Sequence, residues 1–121
     1  MENLDRLCAE YGYEFAEAIS DETLFTKALG VLQEQGIYSF VLFCKSRGST
    51  ERPGSEKIEA TTKKILKNKL ELIGNGDLLE EIRGENGLAS RLDDLILAMQ
   101  VLEKSLIYAR YHVKAKAKCL E

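Results

Sequence analysis

Acidic side chains at helical spacing are the first residues in this 121-residue chain that could carry chemistry. Glu14 and Glu17 form an E-x-x-E step, which places two carboxylates on one side of a helix, and Mg²⁺ prefers such oxygen ligands. A helical magnesium site also needs a second acidic step further along the chain. The one E-x-x-D step, Glu2 to Asp5, precedes the first pair. We therefore expect solvated helix faces, no metal and no cofactor, with a small magnesium-dependent enzyme as an alternative.

Nucleophilic and acid–base residues are equally sparse. Cys8, Cys44 and Cys119 are odd in number and far apart, without C-x-x-C spacing, so they predict buried or incidental thiols in a reducing compartment. His112 is the only histidine, so triad chemistry would depend on one side chain, which we expect at the surface. Glycine-rich phosphate loops are absent from the sequence. The sequence predicts no catalytic residues and no enzyme.

The charges are segregated along the chain, although the formal net charge is only -3. Residues 45–69 carry eight bases and three acids, and residues 104–121 carry five bases and one acid. Residues 1–44 and 70–103 each carry eight acids and two bases, so the four blocks give -6, +5, -6 and +4. Two basic zones on an acidic chain indicate a dipolar molecule.

Helical spacing gathers the basic residues into two stripes. Lys57, Lys63, Lys64 and Lys67 lie opposite an apolar face, while Arg110, Lys114 and Lys118 follow at steps of four beside Tyr111. Basic side chains near aromatic rings can neutralise phosphates and stack on bases. Two alternatives remain open: ordinary solubilising charge, which a pI near 5.3 favours, and pairing with acidic faces of a neighbouring copy.

The elements that position these residues are predicted to be helices throughout, in one all-α domain over residues 1–121. We expect a bundle of about five helices with a long C-terminal helix. A first helix covers residues 4–19, Ser20 or Asp21 caps a second, and residues 37–44 form a central helix after a break near Gly36. Gly30 and Gly36 are expected to permit close helix approach or a bend.

The second half has a loop, two helices and a regular seam. Residues 46–56 hold the only proline and predict a long loop, followed by a helix from about residue 56 to 73 and a short helix capped by Asp77. The last helix runs from residue 88 to 118, roughly 45 Å, with a C-terminal end that protrudes or packs on a partner. Its heptad seam comprises Leu88, Leu92, Leu95, Met99, Leu102, Leu106, Ala109 and Val113.

Composition narrows the class of protein. The chain is 45% hydrophobic and 31% charged, which is too apolar for disorder. None of its apolar runs approaches the roughly 18 residues of a membrane span, and the first residues do not have the basic and apolar regions of a signal peptide. We therefore expect a cytoplasmic protein that does not contact a membrane.

Two segments carry a resemblance to a known family. They are ALGVLQEQGIYSFVLF at residues 28–43, followed by KSRG at 45–48, and LEKSLIYAR at 102–110. In helix order, most of the chain resembles the small α-helical subunit of type III CRISPR effector complexes, above all that of the type III-B (Cmr) complex. In that family a glycine, an aliphatic–aromatic run and a lysine/glycine turn mark the middle of the bundle.

The resemblance implies a non-catalytic structural subunit of a ribonucleoprotein in antiviral defence. Its partners would be other effector subunits, copies of itself, and guide and target RNA held by the assembly. Lys45 and Arg47 in the turn, and Arg110, Lys114 and Lys118 on the last helix, match the expected RNA contacts, and the stripe of Lys63, Lys64 and Lys67 completes the set. The alternative is a helical adaptor or regulator that dimerises through residues 88–113 and binds no nucleic acid.

Overall fold

A computed structural model describes residues 3–119, and every regular element in that range is helical. The elements are α1 (Leu4–Ala18), α2 (Glu22–Gln35), α3 (Ile37–Lys45), α4 (Arg52–Lys64), a π-helical turn (Ile65–Lys69), α5 (Leu78–Arg83), a 3₁₀ turn (Leu88–Ser90) and α6 (Leu92–Cys119). The all-α architecture with a long C-terminal helix is confirmed. Buried side chains from all six α-helices form one contiguous core.

The first two helices begin at side-chain caps. The Asn3 side-chain oxygen accepts hydrogen bonds from the backbone N–H groups of Asp5 and Arg6, and the Asp21 carboxylate accepts from Leu24 N–H at 3.0 Å. Such caps satisfy backbone donors that have no partner inside the helix. The predicted cap at Asp21 is confirmed.

A single glycine separates α2 from α3. Gly36 has a φ of 93°, in the region that favours glycine, and its N–H donates to Leu32 while its carbonyl accepts from Phe40. One residue thus ends one helix and begins the next. The predicted break is confirmed, and α3 buries Phe40 and Val41 completely.

The predicted loop and the helix after it both differ from the structure. The loop ends at residue 51, because Pro53 lies in the first turn of α4, where its missing N–H costs no helical hydrogen bond. At the other end the α-geometry stops at Lys64, and the following π-helical turn closes with Leu70 N–H donating to the Ile65 carbonyl. The helix predicted over 56–73 therefore both starts and ends earlier.

The last helix begins at Leu92 rather than at residue 88, and its 28 residues span about 42 Å. From Leu102 onward the predicted seam is buried, but Leu92 is 68% exposed. The seam packs inside the chain, since α6 contacts α1 on one side and α2 on the other. As far as Lys116, which reaches Glu17 on α1, the helix lies along its own bundle. A dimer could not use the part of the seam from Leu102 to Val113 without opening the fold.

At Gly12, α1 and α6 lie too close together for a side chain to fit between them. A Cβ atom on Gly12 would lie 2.5 Å from the Cβ of Tyr108 and 3.0 Å from the carbonyl oxygen of Ser105. Real Cβ atoms do not come that close, so only glycine fits. The expectation of close approach at Gly30 is wrong: a Cβ there would meet nothing within 4 Å.

These two glycines give a matched test of the packing. We expect Gly12→Ala to destabilise the fold by about 1–3 kcal/mol, because the new methyl group forces α1 and α6 apart. Gly30→Ala, also within a helix, should stabilise it by about 0.5–1 kcal/mol through helix propensity. Urea unfolding followed by circular dichroism measures both. Equal effects at the two positions would contradict the close contact.

Candidate nucleic-acid interface

The eight predicted RNA-contact residues lie in three regions of the chain and divide into a paired and an unpaired group. Lys45 and Arg47 lie at the end of α3 and in the turn after it. Lys63 and Lys64 lie at the end of α4, Lys67 lies in the π-helical turn, and Arg110, Lys114 and Lys118 lie on α6. Four of the eight form ion pairs with carboxylates of the chain itself. The other four are not ion-paired within the described part of the chain. Local sequence cannot distinguish the paired cations from the unpaired ones, because ion pairing depends on the folded structure.

Lys45 and Arg47 fasten the turn after α3. The ammonium of Lys45 lies 2.7 Å from a carboxylate oxygen of Glu59, and this hydrogen bond raises the pKa of the lysine. The Arg47 guanidinium lies 4.0 Å from the Phe43 ring centroid, donates to the Phe43 carbonyl at 3.2 Å and pairs with Glu51 at 3.5 Å. Both cations therefore have structural partners before any ligand arrives.

Lys64 and Lys114 are paired across helices. Lys64 lies 2.7 Å from Glu14 on α1, and its pKa is raised by that hydrogen bond, while Lys114 lies 3.6 Å from Glu22 at the start of α2. All four side chains keep substantial exposure, so each pair contributes little stability and can exchange with solvent. Their positive charge is nevertheless partly neutralised in place.

The other four cations have no such partner. Within residues 3–119, no carboxylate lies within ion-pair distance of Lys63, Lys67, Arg110 or Lys118. Lys63 and Lys67 are half-buried and line one shallow depression with Ala60, Lys64 and Asn68. Their ammonium groups provide positive charge that the described fold does not use internally.

The two basic stripes do not join into one surface, because α1 lies between them. Glu14 on α1 faces Lys64 of α4, whereas Glu17, one turn further, faces Lys116 of α6 at 3.1 Å. The acids on the outer side of α1 thus separate the stripes. The structure presents two separate basic patches.

The E-x-x-E step on α1 serves helix packing. Glu14 and Glu17 reach in different directions, and hydrogen bonds from Tyr13 and Lys116 hold the pKa of Glu17 below its usual range. Among residues 3–119, no three acidic, cysteine or histidine side chains converge closely enough to hold a metal ion. Each of these two carboxylates forms an ion pair with a lysine of a neighbouring helix.

Sequence reasoning missed a polar cluster at the other end of α1. The Tyr108 hydroxyl donates to the Asp5 carboxylate at 2.5 Å, and the Lys104 ammonium lies 2.6 Å from the same oxygen. These donors lower the pKa of Asp5, and the carboxylate in turn raises the pKa of Tyr108. The cluster borders a groove of about 530 Å³ that Leu4 and Ile107 also line. Its members are 103 residues apart, so no local pattern could have shown it.

The single histidine is exposed, as expected, and belongs to an aromatic contact. The His112 ring meets the edge of Tyr13 with 5.8 Å between centroids. Tyr108, four residues earlier, is occupied by Asp5, so the two side chains do not form an acid–base pair with each other. Instead, each of the two side chains contacts a residue of α1: His112 contacts Tyr13, and Tyr108 contacts Asp5.

No protein-family model, curated protein or solved structure matches this chain. In the range 3–119, none of the helices combines the length and the apolar composition needed to cross a membrane. What the protein binds must therefore be inferred from its own surface.

Burial controls the chemistry of two cysteines. Cys8 and Cys44 are free thiols with 2% of their surface exposed, and burial raises the pKa of both, that of Cys44 to about 12. A thiol held protonated is a poor nucleophile. The predicted buried thiols are confirmed at these positions, whereas the side chain of Cys119 lies outside the described part.

We therefore expect Cys8 and Cys44 to resist labelling in the native protein. In a Cys119→Ser variant, Ellman's reagent at pH 8 should react at least about a hundredfold more slowly with the folded chain than with the chain in urea, because only the thiolate of an accessible cysteine attacks the reagent. Fast release of one chromophore equivalent from the native variant would contradict the burial of these thiols.

Proposed function

We propose that this chain is a non-catalytic structural subunit of an RNA-containing assembly, of the kind its sequence resembles: the small helical subunit of a type III-B CRISPR effector complex. In that role it supports guide and target RNA by holding phosphates without reading bases. The observation that carries the proposal is the Lys63/Lys67 pair, two neighbouring cations on α4 and its π-helical turn with no carboxylate partner among residues 3–119.

The absence of an internal partner matters energetically. A lysine already held by a carboxylate must give up that contact to bind a phosphate, whereas an unpaired lysine gives up only water and counterions. Lys63 and Lys67, with Arg110 and Lys118 on the second patch, are therefore the strongest phosphate contacts of the eight. Lys64 and Lys114 would make weaker phosphate contacts, and Lys45 and Arg47 mainly stabilise the turn after α3.

The acidic balance of the chain fits a subunit better than an independent RNA-binding protein. At a net charge of -3, the chain as a whole does not attract a phosphate backbone, so RNA would bind through local basic patches. Such a chain would gain affinity when neighbouring subunits hold the same strand, because the second contact becomes intramolecular. Other effector subunits, further copies and the RNA itself would be its partners.

The Lys63/Lys67 pair gives a direct test. We expect Lys63→Gln/Lys67→Gln to weaken binding of a fluorescent single-stranded RNA by roughly threefold to tenfold at about 100 mM salt, because two phosphate contacts are lost. The slope of log K against log salt should become shallower by about 1.4, at 0.7 per lost phosphate contact on single-stranded RNA. Fluorescence anisotropy with the full chain measures both quantities.

The matched control removes the same net charge elsewhere. Arg6→Gln/Arg83→Gln lies on α1 and α5, where both arginines are exposed and lie within 4 Å of an acid of their own helix. We expect this variant to keep the salt slope of the unmodified protein. If both double variants lose affinity and slope equally, general charge and not the α4 patch holds the RNA, and the assignment fails.

A further inference from the structure

The outer side of α6, away from the core, carries a second regular stripe of residues. Its spacing is four, four, three, four and four, which keeps the residues on one face of an α-helix and repeats every eleven residues. This outer stripe consists of Leu92, Ile96, Gln100, Glu103, Ile107 and Tyr111. It shares only the exposed Leu92 with the predicted heptad seam, whose buried part begins at Leu102.

Most of the outer stripe is apolar and open to solvent. Leu92 is 68% exposed, Ile96 46% and Tyr111 67%, while Ile107 is half-buried beside the groove that Leu4 lines. A single exposed leucine is ordinary on a protein surface, but several large apolar residues exposed along one helix face are typical of an interaction surface. In the described chain the side chains of Leu92, Ile96 and Tyr111 are left largely uncovered by its other helices.

We propose that the outer stripe binds the same stripe of a second copy of this chain, with the two α6 helices antiparallel about a two-fold axis between residues 101 and 102. The proposal rests on a different surface from the Lys63/Lys67 pair, and of the proposed phosphate contacts it shares only Arg110. The partner is identified by the pattern itself, which complements its own copy.

Antiparallel pairing matches residues of the same kind. Leu92 then lies across from Tyr111 of the second copy, and Ile96 lies across from Ile107. In the centre, Gln100 meets Glu103 of the other copy, where an amide can donate to a carboxylate. One oxygen of Glu103 already accepts from Gln33 at 3.0 Å, which leaves the other free for this contact. A hydrogen-bonded polar pair inside an otherwise apolar interface fixes the register of the two helices.

Charge selects the antiparallel arrangement over the parallel one. A parallel pair would place Asp93, Glu103 and Arg110 each opposite its own copy, and like charges facing one another are unfavourable. The antiparallel pair instead places Asp93 at the height of Arg110. Neither residue has an ion-pair partner within residues 3–119, so both charges are available. Opposed helix dipoles favour the same arrangement.

The size of the contact predicts its strength. The stripe covers five turns of one helix, roughly 28 Å, so the buried area is smaller than the about 1,600 Å² of a standard interface. We therefore expect a micromolar, reversible dimer. Because both copies use the same patch, association closes at two chains and does not continue into a fibre.

The oligomeric state of the full chain tests the apolar part. Sedimentation velocity from about 5 µM to 1 mM should show a reversible monomer–dimer equilibrium, and Ile96→Glu/Ile107→Glu should abolish it by placing four acids in the seam. Leu42→Glu is the control, since Leu42 is a 43% exposed leucine on α3 outside the stripe. Circular dichroism checks that each variant folds. A chain that stays monomeric at 1 mM overturns the proposal, and so does a dimer that survives the double substitution.

A charge swap tests the direction. Asp93→Arg and Arg110→Asp should each weaken the dimer about tenfold, and the combined variant should recover most of the affinity, because only the antiparallel pair brings the two positions together. No recovery in the combined variant overturns the antiparallel register. Lys63→Gln/Lys67→Gln should leave dimerisation unchanged, so loss of RNA binding and loss of the dimer are separate outcomes.

Discussion

The structure depends on one steric constraint, the contact of α1 with α6 at Gly12. Without a side chain at this position the two helix backbones can approach until a Cβ would lie 2.5 Å from that of Tyr108. This approach buries Phe15 and Leu106 completely and brings Asp5 and Glu17 within reach of Lys104 and Lys116. The rest of the core and the inter-helix ion pairs are arranged around this pair of helices.

Many of the charged side chains form ion pairs within the chain, so a basic residue in the sequence is not by itself a free binding group. A chain with 17 basic and 20 acidic residues has many apparent binding groups. Several bases are held by acids far away in sequence, as Lys64 is by Glu14 and Lys116 by Glu17. The cations that remain, such as Lys63 and Lys67, are few and are separated by acids on α1. The proposed RNA contacts use these unpaired cations, whereas the proposed contact with a second copy uses the apolar outer stripe of α6.

The sequence predicts the helices well where one periodic signal dominates. The buried face of α2, its cap at Asp21 and the break at Gly36 follow from local spacing and backbone preference. The start of α4 was missed because proline suits both a loop and a first helical turn. Pairing of the candidate site residues could not be predicted, since Lys45 and Glu59 are 14 residues apart and Lys64 and Glu14 are 50 apart. Such contacts are set by packing and not by local pattern.

The π-helical turn after α4 also has a consequence for chain length. Its hydrogen bond from Leu70 N–H to the Ile65 carbonyl accommodates one residue more than an α-helical turn. Deleting a single residue here would restore regular helix and rotate everything downstream by about 100°. Leu66 would keep its place in the core, while the connection to Leu78 would start from the wrong side of the bundle. Homologous chains that retain this fold should therefore tolerate insertions in the loop before Arg52 but keep the length of residues 65–69 fixed.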